Sequence, residues 1–310
     1  AGRLDWYTQY SDRVRKVWDS KGQGNADQAT VFSDGFNAIE DGLASGVLAW
    51  KDQVYFANIP HLWKLSDPNR DGIADGKTSL LNGFGVRTGF LGHDLHGLII
   101  GPDGMLYFTI GDRGAHVVTA DGRTVSNPET GAMYRCNLDG TGLEIFASGL
   151  RNPQEIAFDD YGNWFTGDNN SDGGDPARWV YLLEGGDCGW HIGYQFIDKP
   201  NSRGPWISEK MCYPPSPEQP AYIMPPVANI TSGPSGLAHY PGTGLPERYA
   251  GHFFLVDFTG GKGSSVHSFG LKPKGAGFEL VDRDHLISDL LATDVEFGPD
   301  GGVYVSDWVQ

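Results

Sequence analysis

Short runs in which apolar and polar positions alternate recur along the chain, and each run breaks at a turn rich in Asp and Gly. "SGVLAWKDQVYFANI" (45–59), "HGLIIGPDGMLYFTIGD" (96–112) and "QEIAFDDYGNWFTGDN" (154–169) share one form. "SGLAHYPGTGLPERYAGHFFLVDF" (235–258) and "TDVEFGPDGGVYVSDW" (293–308) repeat it. Each reads as a short strand, a tight turn and a second strand rich in aromatics that ends near Asp or Asn. Asp-Gly between alternating hydrophobics is a strong hairpin signal. No segment carries a sustained helical period, whereas Leu143, Ile145 and Ala147 show the period of two that suits a strand.

The aromatic centres Tyr55, Tyr107, Phe165, Phe254 and Tyr304 recur about 50 residues apart, save for one longer gap, which is the length of a four-stranded propeller blade. Third and fourth strands fit between the hairpins, for example "GAMYRCNLDG" followed by "LEIFASGL". The expected fold is therefore all-β: a six-bladed β-propeller of four-stranded antiparallel blades. In the alternative, a five-bladed ring, the N-terminal strands "GRLDWYTQ", "RVRKVWD" and "TVFSDGF" complete the last blade. Residues 1–310 read as one propeller domain, truncated at both ends, with a loop insertion at 185–235 whose Trp190 and Trp206 are expected to form an aromatic wall beside a ligand site. The chain starts at Ala1 with no initiator Met, which marks a processed or cut polypeptide.

Composition narrows the function. Glycine is abundant (45 residues) and aromatics make up 12%, as many strands and tight turns require. Net charge is −16 at pH 7, so phosphate backbones are repelled and nucleic acid is not an expected partner. No run reaches the roughly 18 apolar residues of a membrane span, so the chain is not expected to be membrane-spanning. A periplasmic or extracellular protein that handles neutral solutes or cations fits this surface. The cysteines are Cys136, Cys188 and Cys212, with no CxxC. Cys188 and Cys212 either form a disulfide, stabilising by about 3 kcal/mol, or remain buried thiols.

Four stretches could carry chemistry. In "DPNRDGIAD" (67–75), Asp67, Asn69, Asp71 and Asp75 fall at the 1-3-5-9 positions of a calcium loop, with Gly72 at the turn. Thr78 stands where a bidentate Glu would close an EF-hand, so a solitary structural calcium site is expected; the alternative is an acidic turn. "DSKGQGNAD" (19–27) has the same frame with ligands replaced. "GDNNSDGGD" (167–175) is a second oxygen-rich loop, able to hold a metal or polar ligand or to stand as a solvated turn. "GLRNPQE" (149–155) sets Arg151 beside Asn152, a guanidinium and an amide suited to a planar, multiply carboxylated ligand, or else an Arg paired within its turn. "GGKGSS" (260–265) imitates a phosphate loop but has Gly263 where Ser or Thr is needed. There is no GxSxG and no HExxH.

"HDLHGLIIGPDGMLYFTIGDRG" (93–114), "GLRNPQEIAF" and "GGDCGWHIGYQ" resemble the six-bladed sugar dehydrogenases that depend on pyrroloquinoline quinone (PQQ): the soluble glucose, aldose-sugar and sorbosone enzymes. Over nearly its whole length the chain resembles the PVC-type membrane-bound dehydrogenase domain of planctomycetes. The resemblance implies a sugar or other small alcohol as substrate, with calcium and PQQ as cofactors. It also implies a c-type haem domain or a soluble acceptor as electron partner. It puts His93 in the place of the catalytic base and Arg151 and Asn152 in that of the cofactor-binding pair. Asp168, Asn169 and Asn170 then stand where oxygens reach the cofactor's calcium, although the family's Glu and Gly-Pro are replaced. Lys262 and Arg283 are the candidates for the family's later basic residues. By this implication His93 takes the hydroxyl proton while hydride passes to the quinone. His96 falls out of alternation with His93 and is expected to face elsewhere. From the residues alone, a non-catalytic calcium-stabilised propeller binding glycans or partner proteins, and a calcium-dependent lactonase, stay open.

Overall fold

The computed structural model describes residues 8–87, 92–172, 175–191, 226–261 and 263–308. Lys262, Cys212, Trp206 and most of the expected insertion lie outside the described residues. Among those described there is no α-helix, and all regular structure is strand apart from one 3-10 turn, Glu247–Tyr249. β1 (Asp12–Trp18) pairs with β2 (Gln28–Phe36). β3 (Ala44–Trp50), β4 (Gln53–Asn58), β5 (His61–Ser66) and β6 (Gly76–Asn82) make a four-stranded antiparallel sheet. The next sheet is built from β7 (Leu95–Ile100) and β8 (Leu106–Ile110) with two later strands, after a ribbon of β9 (Ala115–Val118) and β10 (Thr124–Asn127). Those later strands are β11 (Gly131–Cys136) and β12 (Glu144–Leu150).

β13 (Pro153–Phe158), β14 (Trp164–Asp168) and β15 (Arg178–Leu182) form the following sheet. β16 (Gly186–Asp187) leaves it to lie parallel against β12, and β17 (Ala228–Asn229) supplies its fourth strand. β18 (Pro234–His239), β19 (Phe253–Asp257), β20 (Ser265–Lys274) and β21 (Gly277–Ser288) make another four-stranded sheet. β22 (Ala292–Phe297) and β23 (Val303–Asp307) pair with each other. Within the four-stranded sheets neighbours run antiparallel.

Each sheet's first strand packs against the next: β3 on β7, β7 on β13, β13 on β18, β18 on β22. The sheets therefore fan around a line of first strands, a propeller-like arrangement. Second strands are sandwiched between neighbouring sheets, and every residue of β8 and β14 is buried. Between the sheets of β8 and β14, Tyr107, Met133 and Phe146 meet Ile156, Trp164 and Val180. The repeating aromatics Tyr55, Tyr107, Phe165 and Phe254 are at most 2% exposed, but Tyr304 is 57% exposed. No described sheet covers β23 on that side.

The GPDG turn is fixed by its own residues. Asp103 accepts from Met105 N (3.0 Å) and from the Tyr107 hydroxyl (2.8 Å). Asp300 accepts likewise from Gly302 N (2.9 Å) and Tyr304 (2.8 Å). A Cβ at Gly101 or Gly298 would sit 2.4 Å from the following tyrosine ring, so glycine there lets the ring fold over the turn.

Candidate active site

The Asp or Asn that ends a second strand closes the loop leading into that sheet's first strand. Asp257 Oδ1 accepts from Ser232 N and Gly233 N, both 3.0 Å. Asp307 Oδ1 accepts from Leu291 N (2.9 Å), and Asn58 Nδ2 donates to Gly42 O (2.7 Å). Asp168 does the same for "RNP": its Oδ1 accepts from Arg151 N (2.9 Å) and Asn152 N (2.8 Å). Its Oδ2 pairs with Arg178, whose Nη1 also donates to Cys188 O (3.0 Å). Asp168 is fully buried with both oxygens engaged. The structure thus places it beneath the loop as a clamp.

One repeat departs from this rule. β8 ends in Ile110 where its counterparts carry Asp or Asn, and the carboxylate appears two residues later as Asp112. That loop closes instead through Gly111 N to Asp94 O (3.2 Å), while Asp94 pairs with Arg113. Asp112 is left to serve His93, whose Nδ1 lies 2.7 Å from Asp112 Oδ1. Both side chains are about 95% buried. A carboxylate only accepts, so it fixes the Nδ1–H tautomer and makes Nε2 the basic nitrogen. The Trp190 indole N–H donates to the other oxygen, Asp112 Oδ2 (3.1 Å), and Asp112 N donates to Arg151 O (2.8 Å).

Arg151 and Asn152 come to the same place. A Cβ on Gly111 would lie 2.8 Å from Asn152 Oδ1 and 2.8 Å from both Cα and Cβ of His93. Only a glycine lets the two residues approach so closely. Asn152 Oδ1 is buried and has no hydrogen-bond donor. The Arg151 guanidinium lies over the Trp190 ring (5.8 Å to the centroid) and pairs with Asp172 Oδ2 at 2.6 Å. His93, Arg151 and Asn152 therefore share one site, with Asp112 and Trp190, which lie in the same quoted motifs, as further members. The second loop spends its oxygens locally: Asn170 Oδ1 accepts from Asp172 N (3.1 Å), and Asp175 accepts from Ser171 N and Oγ. Asn169 is partly exposed beside it. His96 faces elsewhere, toward Gly92 O (2.9 Å) and Ser45 O (3.3 Å), and burial holds its pKa down.

Asp67, Asn69, Asp71 and Asp75 lie between β5 and β6. Asp67 Oδ2 accepts from Gly72 N (2.9 Å), Asn69 Oδ1 from Asp71 N (2.9 Å), and Asp71 Oδ1 from Ile73 N (2.9 Å). Asn69 Nδ2 donates to Asp75 (3.2 Å). Among the described residues no three His, Cys, Asp or Glu side chains gather as a metal site. Cys188 is a buried thiol, pushed up to about 12 by that burial; the other cysteine of the expected pair, Cys212, lies outside the described residues.

At the other end of the first strands lies a cavity of about 640 Å³, walled by Leu98, Ile156, Leu237 and Phe297 with Glu155 and Glu296. Glu155 and Asp294 occupy the strand position held by Gly46, Gly97 and Gly236 in the other first strands. Glu155 accepts from Leu237 N (2.6 Å). Burial, then the charges of Asp294 and Glu296, push its carboxyl well above the usual range. Burial raises Asp294 too. Glu296 is exposed toward the cavity mouth, yet the protein around its carboxyl and Asp294 beside it push it up to about 7.

Residues 3–310 match the family described as "Domain of unknown function (DUF7133)". The chain belongs to that family. No match was found among curated proteins. Its fold is similar to that of a solved structure titled "glucose dehydrogenase", at 17% identity and TM-score 0.66, covering 94% of this chain and 86% of that one. It is also similar to the PQQ-bound form of aldose sugar dehydrogenase from Streptomyces coelicolor, at 18% identity and TM-score 0.53, covering 82% and 69%. A calcium structure of a Trichoderma reesei family AA12 carbohydrate-active enzyme gives 9% identity and TM-score 0.58, covering 94% and 84%. At these identities the likeness establishes the fold.

Proposed function

We propose that the chain is a dehydrogenase that oxidises a sugar or another small alcohol, with PQQ as the electron acceptor. The observation that carries this is a buried imidazole, oriented by Asp112, beside an amide oxygen without a donor. The O–H to be oxidised can donate to His93, while a neighbouring hydroxyl of a polyol donates to Asn152 Oδ1, so adjacent hydroxyls meet a base and an orienter within one small site. The likeness to sugar dehydrogenases, one of them titled as PQQ-bound, supports the same reading.

The residues present fit a carboxylated quinone. Arg151 already holds a carboxylate, that of Asp172, which is 44% exposed, so a ligand carboxylate can replace it from the solvent side. Arg151 and Asn152 would hold the quinone, which when bound supplies the two-electron acceptor. His93 accepts the hydroxyl proton at Nε2. Asp112 stabilises the imidazolium through Nδ1–H without taking the proton. Asn152 Oδ1 accepts from the neighbouring hydroxyl and so aligns the substrate, and the indole of Trp190 keeps water from the back of the dyad.

Three readings accompany this one. A structural Ca²⁺ in the 67–75 loop is supported by the ligand spacing and by the Gly72 N to Asp67 bond of the turn. A six-bladed ring is supported by five sheets whose first strands pack in succession, by the β1–β2 pair packed beside the β3–β6 sheet, and by the uncovered Tyr304. A periplasmic or extracellular site of action, with electrons leaving to a haem domain or soluble acceptor, is supported by the acidic surface and the resemblance.

The test is reconstitution with Ca²⁺ and PQQ, followed by dye reduction over a panel of aldoses and simple alcohols. A quinone absorbance band and turnover are expected. His93→Gln should lower kcat by about 100-fold or more with the melting temperature unchanged. Glycan binding without turnover would replace this reading with that of a non-catalytic propeller.

A further inference from the structure

We propose that Trp190 is a positioning residue that ties the protonation of His93 to the seating of segment 186–190 on the neighbouring sheet. The proposal rests on the dehydrogenase reading for its meaning but on geometry for its content. Trp190 belongs to the strand-and-turn segment that leaves the sheet of β13–β15 and lies along β12. Cys188 N donates to Ser148 O (2.9 Å), Trp190 N to Gly149 O (2.9 Å), and Thr130 Oγ to Trp190 O (2.5 Å). That close lie requires Gly149: a Cβ there would stand 2.1 Å from Asp187 Oδ1 and within 2.6 Å of Cys188 N and Gly189 N. Gly149 also sits at φ 74°, a left-handed conformation that favours glycine.

Seated this way, the indole has two contacts in the site. Its N–H reaches Asp112 Oδ2, and its face lies against the Arg151 guanidinium. The Asp112 carboxylate is thereby shared between the indole and His93. A donor on one oxygen draws off charge that would otherwise stabilise the imidazolium, so Trp190 keeps His93 less basic than Asp112 alone would make it. Other groups near His93 are Asp94, which Arg113 neutralises, and His96, whose own pKa is held down by burial. Arg151 lies beyond the indole.

Wild-type protein labelled with ¹⁵N in tryptophan and histidine decides this without substrate or cofactor. Trp190→Phe and His93→Gln assign the two signals by their loss. The Trp190 indole N–H should shift with pH along the same curve as the His93 ring. In Trp190→Phe the His93 titration should move upward by about 1 unit, the size of one lost hydrogen bond to a charged group. An indole signal that stays flat through the His93 titration overturns the proposal, even if Trp190→Phe fails to fold. Coupling seen in a protein that never reduces dye would leave Trp190 as the positioning residue and overturn only the dehydrogenase reading.

Discussion

His93 and Arg151 hold the same place in adjacent repeats, each two residues ahead of a first strand, and one indole touches both Arg151 and the partner of His93. Trp190 donates to the carboxylate that holds His93 and covers the guanidinium of Arg151. The site is thus a meeting of two loop entrances. Its geometry depends on how the sheet of β7 and the sheet of β13 pack, and on Gly111 leaving room between them.

Asp168 separates a clamp from a ligand. If it closes the Arg151–Asn152 loop, Asp168→Ala removes the buried carboxylate of the Arg178 ion pair and costs about 3–5 kcal/mol, read from urea denaturation. Asn169→Ala, at a partly exposed turn, should stay within about 0.5 kcal/mol. A mild stability cost together with lost cofactor affinity would instead make Asp168 a ligand to the cofactor's metal.

The cavity carboxylates set a pH dependence. Glu155, Asp294 and Glu296 have folded pKa values raised above their ordinary ones, so the folded state binds more protons than the unfolded state in that range. Stability therefore falls as pH rises from the ordinary carboxylate value toward about 7, where Glu296 titrates. Thermal melts of wild type and Glu296→Gln should converge near pH 4 and separate by pH 8, with the variant more stable. Parallel curves across that range would contradict the assignment.

Calcium should act through the 67–75 loop. Adding Ca²⁺ should raise the melting temperature of the wild type, and Asp71→Ala should remove that gain while changing the calcium-free value little. Equal responses from both proteins would leave the loop an acidic turn held by its own backbone bonds.

The all-strand character was legible because turn and strand chemistry repeat: Asp103 and Asp300 each hold a following tyrosine, and the aromatics fall between sheets. His93, Arg151 and Asn152 were legible as motif members. Asp112 was harder to see, since beside Arg113 it reads as a simple surface pair. What marks it is the comparison of second-strand ends, where Asn58, Asp168, Asp257 and Asp307 align and Ile110 does not. Glu155 was hidden in the same way, because a carboxylate at a position otherwise held by glycine shows its meaning only when the first strands are stacked. Trp190 was legible as an aromatic of the inserted stretch, but its route to the site, through a strand that changes sheets, is a non-local event that no local period announces.

The loop clamp recurs in four places, and a fan held by several copies of one fastening can lose one and still stand. The sheet of β7 and β8 is the copy that was released. Its side-chain clamp has become a backbone bond, Gly111 to Asp94, and its carboxylate has moved two residues onward, beyond the strand. Redundancy in the scaffold is what frees an acidic group to sit in the interior without a structural duty. In a protein assembled from near-identical parts, the part that breaks the pattern is the place to look for chemistry.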